Sequence, residues 1–364
     1  MKKVFVVVLA VLSIIVQVEK VWAISDTATS TVVMDMDSGR VLYEKNKDEK
    51  RLIASITKIM TAVLAIENKN LDDVVIVGDE VLKMYGSNIY IEVGEKMRLR
   101  DLLYGLLLRS GNDSAVVIAK YVGGSEENFV KMMNQKAAEI GMKNTTFSNP
   151  HGLDEETQNY STAYDMALLS SYANKLMDYC DISNTRKWTV STGEKSYVWY
   201  NRNKLLGTYK YATGGKTGYT PKAGRTLVTT ANNGNLNLTI VTLNDDDEYI
   251  THESLYDYIF SKYENKLLID KRNFAIDNSF YKDDTYVNNS FSYPLSKDEE
   301  KIVKKDVNLY KLNSYKDGDK IGEIIVTLKE NELFREDIYI TKTEKPKEGI
   351  LDKVVNFFKN LFNL

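Results

Sequence analysis

The order of hydrophobic periods along the chain limits its fold more than any other feature. Strand-like alternation comes first: Thr31 to Met36, a turn at Asp37-Ser38-Gly39, and a returning run from Arg40 to Glu44. Helical spacing then takes over. Ser55 to Glu67 places Ile56, Ile59, Met60, Val63 and Leu64 on one apolar face. Leu102 to Leu108 reads as a second, very apolar helix. A break at Ser110-Gly111-Asn112 separates it from a third, Ser114 to Tyr121. Ser125 to Ile140 is amphipathic and meets Gly141, a residue suited to ending a helix. Thr162 and Asp165 have the spacing of a cap ahead of a helix that runs to Leu176. Strands return at Arg225 to Ala231 and Leu236 to Leu243, around an Asn233-Gly234 turn, and Ser254 to Tyr263 reads as a further helix. Strands, then helices, then strands predict an α+β layer sandwich and not a doubly wound sheet.

The texture changes near Lys266. Short strand-like runs follow at Phe274 to Ile276, Thr285 to Val287, Lys304 to Tyr310, Lys320 to Leu328 and Asp337 to Ile340, separated by Asp, Asn, Ser and Gly. The expected organisation is a main domain over 24–265, a small β-rich domain over 266–343, and a linker with an amphipathic helix over 344–364. In the last segment Ile350, Leu351, Val354, Val355, Phe357, Phe358, Leu361, Phe362 and Leu364 recur at helical spacing. That run is too short and too interrupted to span a bilayer, but it suits a helix lying in the membrane interface. Docking on the protein's own surface is the other reading.

The N-terminus sets the compartment. Lys2 and Lys3 precede an almost unbroken apolar run, Val4 to Val18, and Val21-Trp22-Ala23 offers small residues around a cleavage site. Residues 1–23 read as a signal peptide, with a retained anchor as the alternative. Either way the body is exported, to the outer face of the cytoplasmic membrane or the cell-wall space. A net charge of −3 gives no general attraction to nucleic acid. Cys180 is the single cysteine, so no intramolecular disulfide forms, and it reads as a small buried hydrophobe. Two histidines and one cysteine are too few for a typical zinc site, and no cofactor is expected.

Three short motifs stand in order: Ser55-Ile56-Thr57-Lys58, Ser110-Gly111-Asn112 and Lys216-Thr217-Gly218. Alone, each is weak; an ordinary turn or strand end explains it. Together they match the known signature of penicillin-binding proteins and class A β-lactamases. In that reading Ser55 sits at a helix N-terminus, and Lys58 lies one turn on along the same face. A serine is a poor nucleophile until a base takes its proton. A lysine serves as that base only when neutral, which burial and a second cation, here Lys216, both favour. The helix terminus helps an oxyanion form. The amides of Ser55 and Tyr219 would receive that oxyanion, and Gly218 would let substrate approach the strand edge. Ser110 would bridge Lys58 and Lys216 and relay a proton to the leaving amine. Asn112 would bind a substrate amide and help hold Lys58. A histidine triad is set aside: only His151 and His252 exist, no G-x-S-x-G elbow occurs, and both histidines read as structural.

Ala54 to Thr61 strongly resembles the nucleophile helix of the low-molecular-mass penicillin-binding proteins, the serine D-alanyl-D-alanine carboxypeptidases. Ser110 to Ala115 resembles their second motif, and His151-Gly152-Leu153-Asp154 and Ser161 to Ala167 resemble further family blocks. The likeness covers residues 28–265 well. It implies a transpeptidase-type domain, an antiparallel sheet with helices, followed by a β-rich domain and a membrane-associating tail. It implies removal of the terminal D-alanine of peptidoglycan stem pentapeptides through a Ser55 acyl-enzyme, and acylation of the same serine by β-lactams. Two features depart from familiar members. Tyr219 stands where several carry His. Asn244-Asp245-Asp246-Asp247-Glu248 stands where a basic residue holds the substrate carboxylate, so Arg225, beside Thr217, is the expected replacement. The run Lys216 to Val228 resembles the sporulation-associated branch. A β-lactamase and a non-catalytic penicillin-sensing or wall-binding module stay open as alternatives, as does an endopeptidase or transpeptidase.

Overall fold

The computed structural model describes residues 24–193, 195–276 and 280–341. The signal peptide expected over 1–23 and the amphipathic helix expected near the C-terminus lie outside them. The chain divides into two compact units, Met1–Lys262 and Tyr263–Leu364.

The first unit is built on a five-stranded antiparallel sheet. Its strands are β1 (Ser30–Asp35), β2 (Val41–Lys45), β5 (Ala212–Thr220), β6 (Gly224–Asn232) and β7 (Asn237–Leu243), in the order β2-β1-β7-β6-β5. β3 (Lys187–Ser191) and β4 (Ser196–Tyr200) form a separate hairpin. The helices of eight or more residues are α1 (Lys58–Asn68), α2 (Leu99–Leu108), α3 (Asn112–Gly123), α4 (Glu126–Ile140), α5 (Ala163–Ala173), α6 (Met177–Asn184) and α7 (Glu248–Lys262). The sheet is covered on both sides. Thr239 and Thr242 of β7 point to opposite faces, as the two-residue period of a strand requires. Thr239 Oγ1 donates to Ser170 Oγ of α5, and Thr242 Oγ1 meets His252 Nε2 of α7. His252 Nδ1 lies 2.7 Å from Thr229 Oγ1, so this fully buried ring has partners at both nitrogens. Burial lowers its pKa to about 3, and it stays neutral in the core.

Several expectations from the sequence change here. The apolar face expected on α1 is part of a wider buried surface: every residue from Lys58 to Ala65 is buried, because α2, α3, α4, α5 and α6 all pack on it. α2 is buried at nearly every position, as its very apolar run leads one to expect. α4 begins and ends where its caps predict. Ser125 Oγ accepts from Asn128 N, and Gly141 takes φ +89°. The helix expected to reach Leu176 stops at Ala173 and restarts at Met177. Asn174 explains the break: its side-chain amide donates to Ser170 O, the carbonyl that its own backbone N–H also uses. The β3–β4 hairpin was not anticipated. It is pinned by Trp188, whose ring stacks on Tyr104 at 3.8 Å and whose Nε1 donates to Asp101. Cys180 is only half-buried; its Sγ lies 3.3 Å from Asn174 O, and burial raises its pKa.

The second unit is β-rich. β8 (Tyr263–Ile269) pairs with β10 (Phe291–Ser296), while β9 (Asp284–Tyr286), β11 (Lys304–Leu309), β12 (Lys320–Leu328) and β13 (Asn331–Thr341) form a sheet in the order β9-β13-β12-β11. It has its own core around Leu295, Ile321, Val326, Ile338 and Ile340. Phe274–Ile276, expected as a strand, is not one, and β8 and β10 were not foreseen. No helix among the described residues is long and apolar enough to cross a membrane.

Candidate active site

Buried polar side chains, Lys58 and Asn112 among them, meet at the start of α1. Ser55 lies on a 3-10 turn, Ala54–Thr57, that feeds directly into α1. Ala54 takes φ +49°, an unusual conformation for a residue with a side chain. Lys58 opens α1 and is wholly buried. Its Nζ lies 2.9 Å from Ser55 Oγ, 2.8 Å from Asn112 Oδ1 and 2.5 Å from the His151 carbonyl. A neutral amine has two N–H groups and one lone pair. With the two carbonyl-type oxygens taking the N–H groups, the lone pair is left facing the Ser55 hydroxyl. Burial first, then the charges of Lys216 and Arg202, push the Lys58 pKa well below its ordinary value; Asp113 opposes them.

Ser110 sits in the break between α2 and α3 with φ +65°. Its hydroxyl lines the cleft and forms no hydrogen bond to either lysine, so the bridge expected from it is not made here. Asn112 opens α3 and is held on two sides: its Nδ2 donates to Tyr85 O and its N–H to Ser87 O, both at 2.7 Å. Asp113, next along, is buried and gathers the amides of Ile89, Tyr90 and Ile91. The loop around residues 85–91 is thus laced to the Ser110–Asp113 break.

Lys216, Thr217, Gly218 and Tyr219 all lie on β5, an edge strand of the sheet. Lys216 is buried, and its Nζ donates to Thr217 O at 2.6 Å. Burial, and then Arg202, lower its pKa to about 7. Gly218 presses on the nucleophile turn. A Cβ placed there would lie 2.9 Å from Ser55 N and 2.4 Å from Thr226 Oγ1. Tyr219 is exposed, and Arg225, its cross-strand partner on β6, sets its guanidinium over the ring at 5.7 Å. Arg225 also pairs with Glu248 at 3.4 Å. The sequence-predicted residues Ser55, Ser110, Thr217, Gly218, Tyr219 and Arg225 line one cleft of about 490 Å³, with Lys58, Asn112 and Lys216 in the wall behind.

Three parts of the site escaped sequence reasoning. The His151 carbonyl contacts Lys58, and a main-chain contact leaves no trace in residue type. The loop carrying it is stitched to the nucleophile turn by Asn159, which donates to Thr57 Oγ1 and Asn149 O, and by Thr61 Oγ1, which donates to Pro150 O. Gly152 follows with φ +88°, and a Cβ there would stand 1.9 Å from Ala54 O. Arg202, which also lines the cleft, belongs to no motif. Gly152→Ala is therefore expected to move the Ser55 turn. It should slow β-lactam acylation at least about 10-fold and destabilise the fold by about 1–3 kcal/mol. Stopped-flow acylation and chemical denaturation check both.

Comparison with known proteins places the chain in a family. The family model for peptidase S11, D-alanyl-D-alanine carboxypeptidase, matches residues 17–247. D-alanyl-D-alanine carboxypeptidase DacF of Bacillus subtilis is 38% identical over 257 residues, covering 68% of this chain and 65% of the relative. DacC of Escherichia coli is 37% identical over 238 residues, covering 62% and 58%. The matched segment thus spans less than two thirds of these relatives' length. Among solved structures, the carboxypeptidase DacD of Francisella tularensis superposes with a TM-score of 0.70 at 28% identity, covering 88% of this chain and 94% of that one. Penicillin-binding protein 5 of Haemophilus influenzae gives 0.72 at 26% identity, covering 87% and 97%. With a matching model over more than half its length, and a serine–lysine pair where the motifs place one, the chain belongs to the S11 family of D-alanyl-D-alanine carboxypeptidases.

Proposed function

We propose that this protein is a serine D-alanyl-D-alanine carboxypeptidase acting on peptidoglycan stem peptides, with Ser55 as nucleophile. The observation that carries the reading is the wholly buried Lys58 amine, 2.9 Å from Ser55 Oγ and backed by two fixed acceptors. Lys58 takes the Ser55 proton as the oxygen attacks the carbonyl of the penultimate D-alanine. The amides of Ser55 and Tyr219 receive the oxyanion. The proton passes by way of Ser110 to the leaving amine of the terminal D-alanine, and Lys216 supplies positive charge beside it. Asn112 steadies Lys58 and takes a substrate amide. Thr217 and the guanidinium groups of the cleft face the substrate carboxylate. Water then hydrolyses the Ser55 ester. A β-lactam presents the same acyl donor and acylates the same serine. Export and membrane association, through residues 1–23 and the C-terminal amphipathic segment, rest on sequence pattern and belong to the same proposal.

The test is D-alanine release from diacetyl-Lys-D-Ala-D-Ala, beside fluorescent penicillin labelling and mass mapping of the adduct. Release with an adduct on Ser55 supports the carboxypeptidase. A stable adduct without release points instead to a sensor or transpeptidase. Rapid penicillin turnover points to a β-lactamase.

A further inference from the structure

The run His151-Gly152-Leu153-Asp154 touches more of the site than the base alone. The His151 carbonyl holds Lys58, and Gly152 packs against Ala54 O in the turn that carries Ser55. Asp154 reaches the far wall: its Oδ2 accepts from the hydroxyl of Thr220, the last residue of β5. The Asp154 carbonyl accepts from Lys222 Nζ at 2.9 Å. The Thr220 hydroxyl in turn accepts from Ala223 N at 3.0 Å, which closes the turn between β5 and β6. Asp154 and Thr220 are both buried, and Asp154 has no ion pair among the described residues. A buried carboxylate without a cation is costly, and a turn already closed by Thr220 and Ala223 does not need one. Tyr219 stands between two anchored neighbours. Gly218 presses on Ser55 N, and Thr220 is held by Asp154. An oxyanion hole works only when its donors sit about 2.7–3.1 Å from where the charge develops. A misplacement of about 1 Å costs on the order of 10²-fold in rate.

We propose that Asp154 is a positioning residue of the oxyanion hole: by gripping Thr220 it sets the place of the Tyr219 amide relative to the Ser55 amide. This rests on the carboxypeptidase reading above, in which those two amides receive the oxyanion. One four-residue run then fixes the base through a carbonyl, the nucleophile turn through a glycine, and the oxyanion strand through a carboxylate. The three parts of the site keep their mutual distances because one piece of chain spans them.

The experiment measures kcat/KM for diacetyl-Lys-D-Ala-D-Ala and the affinities of two inhibitors. One is a boronic acid with boron in place of the D-alanine carbonyl carbon, whose tetrahedral adduct on Ser55 sets an oxygen where the oxyanion forms. The other is the product, diacetyl-Lys-D-Ala, which forms no such adduct. Thr220→Val should lower kcat/KM at least about 10-fold and weaken the boronic acid by the same factor, with product affinity within about 3-fold of wild type. Thr220→Ser and Asp154→Asn keep a hydroxyl and an acceptor, and should stay within about 3-fold throughout. Asp154→Ala combined with Thr220→Val should be no slower than Thr220→Val alone, because the two residues act through one contact. It should also regain thermal stability, since no buried carboxylate is left unpaired. Activity that returned together with stability would mark the contact as merely structural and overturn the assignment. So would a Thr220→Val enzyme with unchanged kcat/KM, or one that loses product and boronic acid affinity alike. If wild type releases no D-alanine, the carboxypeptidase reading itself fails and this one falls with it; if wild type is active and Thr220→Val matches it, only the role of Asp154 fails.

Discussion

Ser55→Ala is expected to abolish both D-alanine release and covalent penicillin labelling, with kcat falling at least about 10⁴-fold. The expectation follows from how little else the hydroxyl does. Its hydrogen-bond partner is the Lys58 amine, and the turn that carries it is held by backbone packing against Gly152 and Gly218. Removing one oxygen should leave the fold within about 0.5 kcal/mol of wild type, as for substitutions away from packed features. Loss of activity at unchanged stability is therefore the signature sought, read by a coupled D-alanine assay and by thermal unfolding of the same sample. Activity retained in Ser55→Ala would remove the nucleophile from the mechanism.

Lys58→Ala should come close behind, with acylation about 10²–10⁴-fold slower, the range associated with a lost general base. Here the pH profile says more than the rate. In wild type, acylation should rise with pH as Lys58 gives up its proton, and that proton is held weakly because burial and two neighbouring cations oppose it. The rise should vanish in the variant. Stability has its own pH signature. Lys216 falls from 10.5 to about 7 on folding. Between those values the unfolded chain binds the proton and the folded one does not, so stability rises with pH across the window. It is complete above the unfolded value and is lost as pH falls toward 7. Lys58, lowered in the same direction, adds to that slope, so Lys58→Ala should flatten it in denaturation curves taken from pH 7 to 10. An unchanged slope would mean that the buried lysine is charged after all.

The chemistry was legible in the sequence because three motifs place its side chains at fixed spacings, and the sheet-and-helix order was legible because hydrophobic period distinguishes the two. What stayed hidden has physical causes. The spacing of Ile56, Ile59, Met60, Val63 and Leu64 reports one apolar face, but the small residues Thr61, Ala62 and Ala65 occupy the others and are buried too. Small residues carry no strong signal of burial, so the spacing shows one apolar face of a helix that is buried on every side from Lys58 to Ala65. The His151 carbonyl acts through its backbone, and Arg202 meets Lys58 only in three dimensions. Asn174 splits a helix by a local hydrogen bond that its neighbours' hydrophobicity conceals. In the second unit, β8 and β10 carry Lys, Glu, Asn and Ser between their apolar positions, too diluted to stand out.

Ala54, which precedes the nucleophile Ser55, and Ser110 both hold left-handed backbone at the cleft. For residues with side chains this conformation costs about 1–2 kcal/mol each. Packing in the surrounding helices offsets that cost. Strain of this size makes the cleft a weak point of a well-packed unit. Warming, mild denaturant or a weakened core should let these two turns relax before the helices melt. Ageing or damaged molecules would then be silent while still folded, their decline visible in turnover well before it shows in secondary structure.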